Sequence, residues 1–156
     1  MRKRIIETEQ TPAPPQQEWL DLARLAAVEI SSEDETHPIE AAVVPGMEGG
    51  WRAARPGRQT IRLCFDPPQA LRRIMLEFQE TQQSRTQEYR LRISSDGGDT
   101  YREIIRQQWN FSPQGSTRET EQHALDAPGV TLLELTIIPD IGGGNAIASL
   151  AALRLA

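Results

Sequence analysis

The sequence of 156 residues has little cysteine and few aromatic residues, and it lacks a long apolar run. With Cys64 as the single cysteine, the chain has no internal disulfide and no cysteine-based zinc site. No stretch approaches the roughly 18 consecutive apolar residues that a membrane helix needs. The first residues lack the apolar core and the cleavage site of a secretory signal. These absences predict a cytoplasmic protein without membrane association.

Lysine is nearly absent as well: Lys3 is the only one, and the basic residues are otherwise arginines. The formal net charge is −5, which disfavours a nucleic-acid partner because phosphate binding needs a basic footprint. The charge is uneven, however. Residues 49–73 hold six arginines and one acid, whereas residues 29–40 hold five acids and no lysine or arginine. The arginine-rich segment leaves nucleic acid open as a minor alternative.

Catalytic motifs are missing too. The two histidines, His37 and His123, have no neighbouring histidine or cysteine at metal-ligand spacing. There is no Gly-x-Ser-x-Gly elbow, and Gly142–Gly144 lacks the Lys-Ser/Thr of a phosphate-binding loop. We therefore expect a protein that is not an enzyme.

The length is that of one domain. Residues 1–17 contain Pro12, Pro14 and Pro15 among polar neighbours and predict a flexible, proline-rich N-terminal arm. Residues 18–156 then form a single domain. A weak helical stripe over 18–26 does not separate a short helix from a strand.

Most of this domain alternates apolar and polar residues, the period of a β-strand. The alternation predicts strands over 61–65, 74–78 and 89–93, and further strands over 101–108, 118–125, 130–138 and 147–155. Turns are predicted at 66–69, 95–99 and 127–129. Short, evenly spaced strands are typical of an all-β sandwich or barrel.

The order of motifs resembles a known family. Trp51 precedes Gln59–Phe65, the strand Ile74–Phe78 and the hairpin Ser94-x-Asp96-Gly97-x-x-Thr100-Tyr101, and Ala148–Leu155 closes the chain. This pattern, over about residues 26–156, is similar to that of the discoidin-like (coagulation-factor type C) family. The resemblance implies an antiparallel β-sandwich of the jelly-roll, galactose-binding-like type, with a ligand site in loops at one end.

Strand direction sorts the loops without reference to the family. If successive strands alternate in direction, the short connections 66–70, 96–100 and 126–129 share one end, here called the short-loop end. The longer connections 45–58, 79–86, 109–117 and 139–146 share the other, the long-loop end. Long loops on a rigid scaffold commonly carry function.

The long-loop end gathers aromatic, arginine and amide side chains that suit a sugar or a peptide. The predicted ligand-binding residues are Trp51, Arg52, Arg55, Arg58, Arg85, Trp109, Asn110, Asp140 and Asn145. Two structural alternatives stay open. The tryptophans could instead plug the end of the core, and the loop arginines could pair with Glu33, Asp34 and Glu35.

We expect a non-catalytic binding module that recognises a carbohydrate-type ligand. The alternative is a cytosolic protein-protein interaction domain that uses the same loops or a sheet edge. No cofactor is expected; Asp34, Glu35 and Asp140 could supply oxygen ligands to calcium, but residues 147–156 lack the acid that assists a calcium site in some discoidin-like domains.

Overall fold

The computed structural model describes residues 19–156, so the predicted arm over residues 1–17 lies outside the described residues. Two one-turn helices and eight strands are present in the described part. The helices are α1 (Leu22–Leu25) and α2 (Glu40–Val43). The strands are β1 (Ala26–Ile30), β2 (Trp51–Arg52), β3 (Gln59–Gln79), β4 (Arg85–Ser94), β5 (Arg102–Phe111), β6 (Arg118–Ile138), β7 (Ser149–Leu150) and β8 (Ala152–Leu155). No helix within residues 19–156 is long and apolar enough to cross a membrane.

Two long antiparallel strands, β3 and β6, form a ribbon that organises the fold. Their pairing runs from Gln59 opposite Ile137 to Gln79 opposite Arg118. A straight strand of this length would span on the order of 65 Å. Yet the ring of Phe78, near one end of β3, lies 5.0 Å from the ring of Tyr89, which is aligned with Ile137 at the other end. The ribbon therefore folds back on itself.

The folded ribbon contributes to both layers of a sandwich. In the larger layer the strand order is β1-β3-β6-β4-β5, and in the smaller layer β8 pairs with the second half of β3. Alternation along each strand sends one set of apolar side chains between the layers, where Leu63, Leu76, Leu91 and Leu135 are fully buried. The all-β antiparallel sandwich predicted from the sequence is confirmed.

Two of the predicted turns are wrong, because they lie inside the β3–β6 ribbon. Residues 66–69 and 127–129 do not end their strands, because β3 and β6 continue through both segments. Instead the pairing register shifts three times between Cys64 and Arg73, where the ribbon bends. Prolines 67, 68 and 128 fall at this bend, where some ladder bonds are already interrupted and a missing N–H is tolerated.

Three smaller features also differ from expectation. Helix α2 lies just before the connection 45–58, where no helix was predicted; its Ala41, Ala42 and Val43 are buried. The predicted final strand over 147–155 is divided at Ala151 into β7 and β8. The ambiguous stretch over 18–26 resolves into the single turn of α1 followed by β1.

The bend and the end of the described chain meet at the short-loop end. The carbonyl of Ala156 accepts hydrogen bonds from the backbone N–H groups of Arg72 and Arg73, at 2.7 and 2.8 Å. The N–H of Leu20 donates to the carbonyl of Leu155 at 2.7 Å. Leu20 and Ala156, near the two ends of the described chain, thus both lie beside the bend of the ribbon.

Candidate ligand-binding site

The four long connections meet at one end of the sandwich, as the alternation of strand direction predicts. Backbone hydrogen bonds join Gly57 to Ala146 (3.3 Å), Ile141 to Thr86 (2.8 Å) and Glu80 to Thr117 (2.8 Å). The hairpin 96–100 and the segment 126–129 lie together at the opposite end, where Thr100, Asp126 and Pro128 border the same cavity. The two ends are therefore separate surfaces.

A cavity of about 290 Å³, here called the polar pocket, opens at the long-loop end. It lies between the loop before β2, the loop after β3 and the β7–β8 segment. Its lining residues are His37, Gly49, Trp51, Arg52, Gln79, Glu80, Thr81, Gln82, Ile147, Ser149, Leu150 and Ala151. Imidazole, guanidinium, amide, hydroxyl and carboxylate groups thus border one concave surface, which suits a ligand rich in hydroxyl groups.

His37 is held in the wall of the pocket by its own loop. Its Nδ1 lies 2.9 Å from the Thr36 hydroxyl and 4.0 Å from the Asp34 carboxylate. Asp34 in turn accepts a hydrogen bond from the Thr36 N–H at 3.0 Å, and the hydrogen bonds of Thr36 hold the pKa of Asp34 below its ordinary value. With Nδ1 engaged, Nε2 is the ring nitrogen left for a ligand.

Arg52 projects an exposed side chain from a fixed backbone. Its N–H donates to the His37 carbonyl at 3.1 Å, and its own carbonyl accepts from the Asp34 N–H at 2.8 Å. Within the described residues its guanidinium forms no salt bridge with a carboxylate. Arg52 therefore offers a free, planar donor group at the mouth of the pocket.

Arg85 does not lie on the surface, contrary to its prediction as a ligand residue: it is 4% exposed, and its guanidinium is hydrogen-bonded inside the loop end. Its Nε donates to Glu80 at 2.8 Å, its Nη1 donates to the Pro139 carbonyl at 2.8 Å, and its guanidinium lies 4.9 Å from the centre of the Phe111 ring. Burial alone would raise the pKa of Glu80, but hydrogen bonds from Arg85 and from the Gln82 N–H outweigh it and lower that pKa. Arg85 positions Glu80 as a carboxylate in the pocket wall.

Trp51 is also placed differently from the prediction: it is 1% exposed and belongs to the core. Its indole N–H donates to the Ser32 carbonyl at 3.1 Å, and only its margin reaches the polar pocket. Gly50 precedes it at φ +66°, and an added Cβ there would lie 2.5 Å from the Leu150 carbonyl oxygen. The close approach of the Gly50 and Leu150 backbones fixes the position of the indole, so the faces of the indole are not open for stacking on a ligand.

The loop arginines do not form one cluster. Arg55 Nη2 donates to the Ser31 carbonyl at 3.2 Å, and Arg58 lies beside a different cavity on the outer face of the larger layer. The predicted alternative, pairing of Arg52, Arg55 and Arg58 with Glu33, Asp34 and Glu35, is also wrong, since none of these pairs forms a salt bridge. Of the three, only Arg52 borders the polar pocket.

The remaining predicted residues lie at the long-loop end but outside the polar pocket. Trp109 is half-buried against the core, with its indole N–H donating to Ser116 Oγ at 3.1 Å. The exposed Asn110 accepts from Thr86 Oγ1 at 2.7 Å, and Asp140 accepts from the Gly142 N–H at 3.0 Å. Asn145 is exposed in the glycine-rich loop.

The described residues contain no group of three or more His, Cys, Asp and Glu side chains arranged to hold a metal ion. Of the predicted calcium ligands, Asp34 and Asp140 already accept hydrogen bonds within their own loops. The expectation of no cofactor stays a prediction.

No family model matches the sequence, and no curated protein matches it. The structure is nevertheless similar to solved domains. A family 32 carbohydrate-binding module from C. perfringens NanJ, in complex with galactose, has a TM-score of 0.65 at 14% identity, covering 88% of this chain and 96% of that one. An F5/8 type C domain from Bacteroides fragilis has a TM-score of 0.59 at 12% identity, covering 88% and 93%. The chain has a discoidin-like fold.

A third solved structure has the same discoidin-like fold and a different sugar. The family 32 module of AlyQ, in complex with 4,5-unsaturated mannuronic acid, has a TM-score of 0.61 at 17% identity, covering 85% of this chain and 95% of that one. At these identities the likeness establishes the fold, and the ligand of this chain has to be argued from its own pocket.

Sequence reasoning found the correct end of the discoidin-like fold but missed most of the pocket wall. His37, Gln79, Glu80, Thr81 and Ser149 were not among the predicted residues. A signal for His37 was present, because the whole connection from residue 31 to residue 58 returns to the long-loop end and only its second half was considered. Ser149 lay in a predicted strand and gave no such signal.

Proposed function

We propose that the chain is a non-catalytic carbohydrate-binding module whose saccharide ligand enters the polar pocket. The observation that carries the proposal is the convergence of Arg52, His37 and Glu80 with side-chain amides and hydroxyls on one cavity of about 290 Å³. Such groups match the alternating donors and acceptors of a sugar ring. The galactose complex of a domain with the same fold supports a sugar ligand.

The polar pocket combines side chains that are held in place by hydrogen bonds with the exposed side chain of Arg52. Glu80, held by Arg85 at 2.8 Å, accepts from ligand hydroxyls, whereas the exposed guanidinium of Arg52 donates to ring or hydroxyl oxygens. His37 adds one ring nitrogen beside Arg52. Because Glu80 and His37 are held by hydrogen bonds before the ligand arrives, little ordering of these two side chains is needed on binding.

The number of carboxylates in the pocket supports the non-catalytic part of the proposal. Glu80 is the one acidic residue among the described residues that line the pocket. Glycoside hydrolysis commonly uses two carboxyl groups on opposite sides of the scissile bond. The comparisons give no support to the alternative, a cytosolic protein-interaction domain.

A glycan array followed by calorimetric titration of the best glycan tests the proposal. We expect Arg52→Ala to weaken binding about tenfold or more, because a hydrogen bond from a charged donor is lost. Arg55→Ala is the matched control: it removes an exposed arginine from the same loop that does not line the pocket, and affinity should stay unchanged. Both variants should melt within a few degrees of the wild type, since both side chains are exposed.

Two results would overturn the proposal. One is an array without any bound glycan. The other is a glycan that binds equally well to the wild type and to Arg52→Ala, which would place its site elsewhere.

A further inference from the structure

A second cavity, of about 180 Å³, lies on the outer face of the larger layer and shares no lining residue with the polar pocket. We call it the arginine pocket. Its lining residues are Arg58, Glu88, Tyr89, Arg90, Arg106, Thr136 and Ile138. Three guanidinium groups and one carboxylate thus border a small concave surface.

Strand register explains why arginines meet there. Thr136 of β6 is aligned with Arg90 of β4, and Arg90 is aligned with Arg106 of β5. Like charges directly opposite each other on neighbouring strands are unfavourable. Arg58, just before β3, brings a third positive charge to the same face. The arrangement therefore calls for negative charge between the strands.

The carboxylates nearby supply only part of that charge. Arg106 lies 2.9 Å from Glu103 and 3.9 Å from Glu88, and Arg90 lies 4.0 Å from Glu103. Three arginines thus share two carboxylates. Within residues 19–156, Arg58 forms no salt bridge and no side-chain hydrogen bond. One positive charge is left without a carboxylate among these residues, and it borders the cavity.

The rest of the lining suits a small polar group. Thr136 is 4% exposed and lines the cavity. Ile138 and the buried Tyr89 give the wall an apolar part. A planar guanidinium matches the paired oxygens of a carboxylate or of a sulfate, and a hydroxyl in the wall adds a further donor.

We propose that the arginine pocket binds one small oxyanion group, a carboxylate or a sulfate, held by Arg58 and Arg90 and reached by the Thr136 hydroxyl. The group arrives either as a free ion or as a substituent of an acidic sugar. This site does not depend on the polar pocket, so the two proposals stand or fall separately.

Amide chemical-shift mapping at low ionic strength tests the site with three probes: sodium sulfate, galacturonic acid and galactose. Sodium chloride at matched ionic strength measures general screening. We expect sulfate or galacturonic acid to give saturable shifts at residues 88–90 and 136–138, and galactose and chloride to give none there. Shifts around residues 49–52 and 79–82 report the polar pocket independently.

Arg58→Gln should weaken the oxyanion about tenfold, because a charge-assisted hydrogen bond is lost. Arg72→Gln removes the same charge from an exposed arginine near the ribbon bend and should leave the affinity unchanged. A response to galacturonic acid alone identifies a sugar carboxylate, a response to sulfate alone identifies a sulfate-type ion, and a response to both identifies a general oxyanion site. Shifts no larger than those with chloride, or an affinity unaffected by Arg58→Gln, overturn the proposal.

Discussion

Glu119 places a carboxylate inside the sandwich without a hydrogen-bond partner among the described residues. Its side chain is 1% exposed, and both carboxylate oxygens are buried and unsatisfied. Burial, together with the nearby carboxylate of Glu121, raises the pKa of Glu119 to about 7. The neighbouring polar groups are already engaged with each other: His123 Nε2 lies 3.4 Å from the Tyr89 hydroxyl and 3.6 Å from Glu121. Glu119 therefore makes the folded state bind a proton more tightly than the unfolded chain does.

This shift gives a pH-dependent stability. A group whose pKa rises on folding stabilises the folded state at low pH. For Glu119 this contribution to the free energy of unfolding is lost as the pH increases from the ordinary pKa of 4.5 to the folded-state pKa of about 7. The free energy of unfolding should fall over this window by on the order of 3 kcal/mol from this group alone. Glu119→Gln removes the ionisation, so the variant should be more stable than the wild type at about pH 8 and nearly equal at about pH 5.

Urea unfolding of both proteins across this pH range measures the difference. Glu35→Gln, at an exposed acid in a loop, is the control and should follow the wild type. Parallel curves for the wild type and Glu119→Gln would show that Glu119 does not titrate in this window.

Gly50 is a second residue whose identity is fixed by its surroundings. Its φ of +66° disfavours other residues, and a Cβ would meet the Leu150 carbonyl oxygen at 2.5 Å. Gly46 also has a positive φ, +89°, but a Cβ there would meet nothing within 4 Å. We expect Gly50→Ala to cost more stability than Gly46→Ala, whose cost of about 1 kcal/mol comes from the backbone alone. Thermal melts of both variants make the comparison, and equal losses would contradict the clash at position 50.

At the scale of the elements, one row of charges crosses all five strands of the larger layer. In register, the row is Glu29, Arg62, Glu134, Arg92 and Glu103. Glu134 at its centre is 3% exposed and accepts from Arg62 Nε at 2.8 Å and from Arg92 Nε at 2.6 Å. Burial alone would raise the pKa of Glu134, but these hydrogen bonds outweigh it and lower that pKa. The central carboxylate thus ties β3, β6 and β4 together.

Glu134→Gln should lower the free energy of unfolding at neutral pH by about 1–3 kcal/mol, because two charge-assisted hydrogen bonds are weakened. Glu103→Gln, at the exposed end of the row, should cost only about 0–1 kcal/mol. Since folding lowers the pKa of Glu134, the Glu134 carboxylate stabilises the fold above pH 4.5, its ordinary pKa. This stabilisation is lost as the pH falls below that value. Denaturant titrations at neutral and acidic pH check both statements; a constant difference at every pH would contradict the second.

The same elements show how far the sequence carries. Period-two alternation correctly identified the buried faces of β3 and β4, because successive side chains of a strand point to opposite sides of the sheet. Pro67, Pro68 and Pro128 were read as turns, yet a proline does not distinguish a strand end from a bend in a continuing strand. The alternation of strand direction placed the long loops at one end. It did not show that Trp51 and Arg85 are buried there, since burial depends on which loops pack over them.

At the scale of the whole molecule, the two layers are joined through the backbone, because β3 and β6 belong to both. Neither layer can lose its strands without disrupting the other. We expect one cooperative unfolding transition, with the same midpoint by far-ultraviolet circular dichroism, which reports the strands of both layers, and by tryptophan fluorescence. Distinct midpoints from the two probes would show that the layers unfold separately.

The positions of Leu20 and Ala156 have a practical consequence for such measurements. Both lie beside the ribbon bend, at the pole opposite the polar pocket. A fusion partner or an affinity tag joined after Ala156 would anchor the sandwich to a sensor chip by its far side. The pocket would then face the flowing analyte, so immobilisation by this route leaves the pocket open to a dissolved ligand.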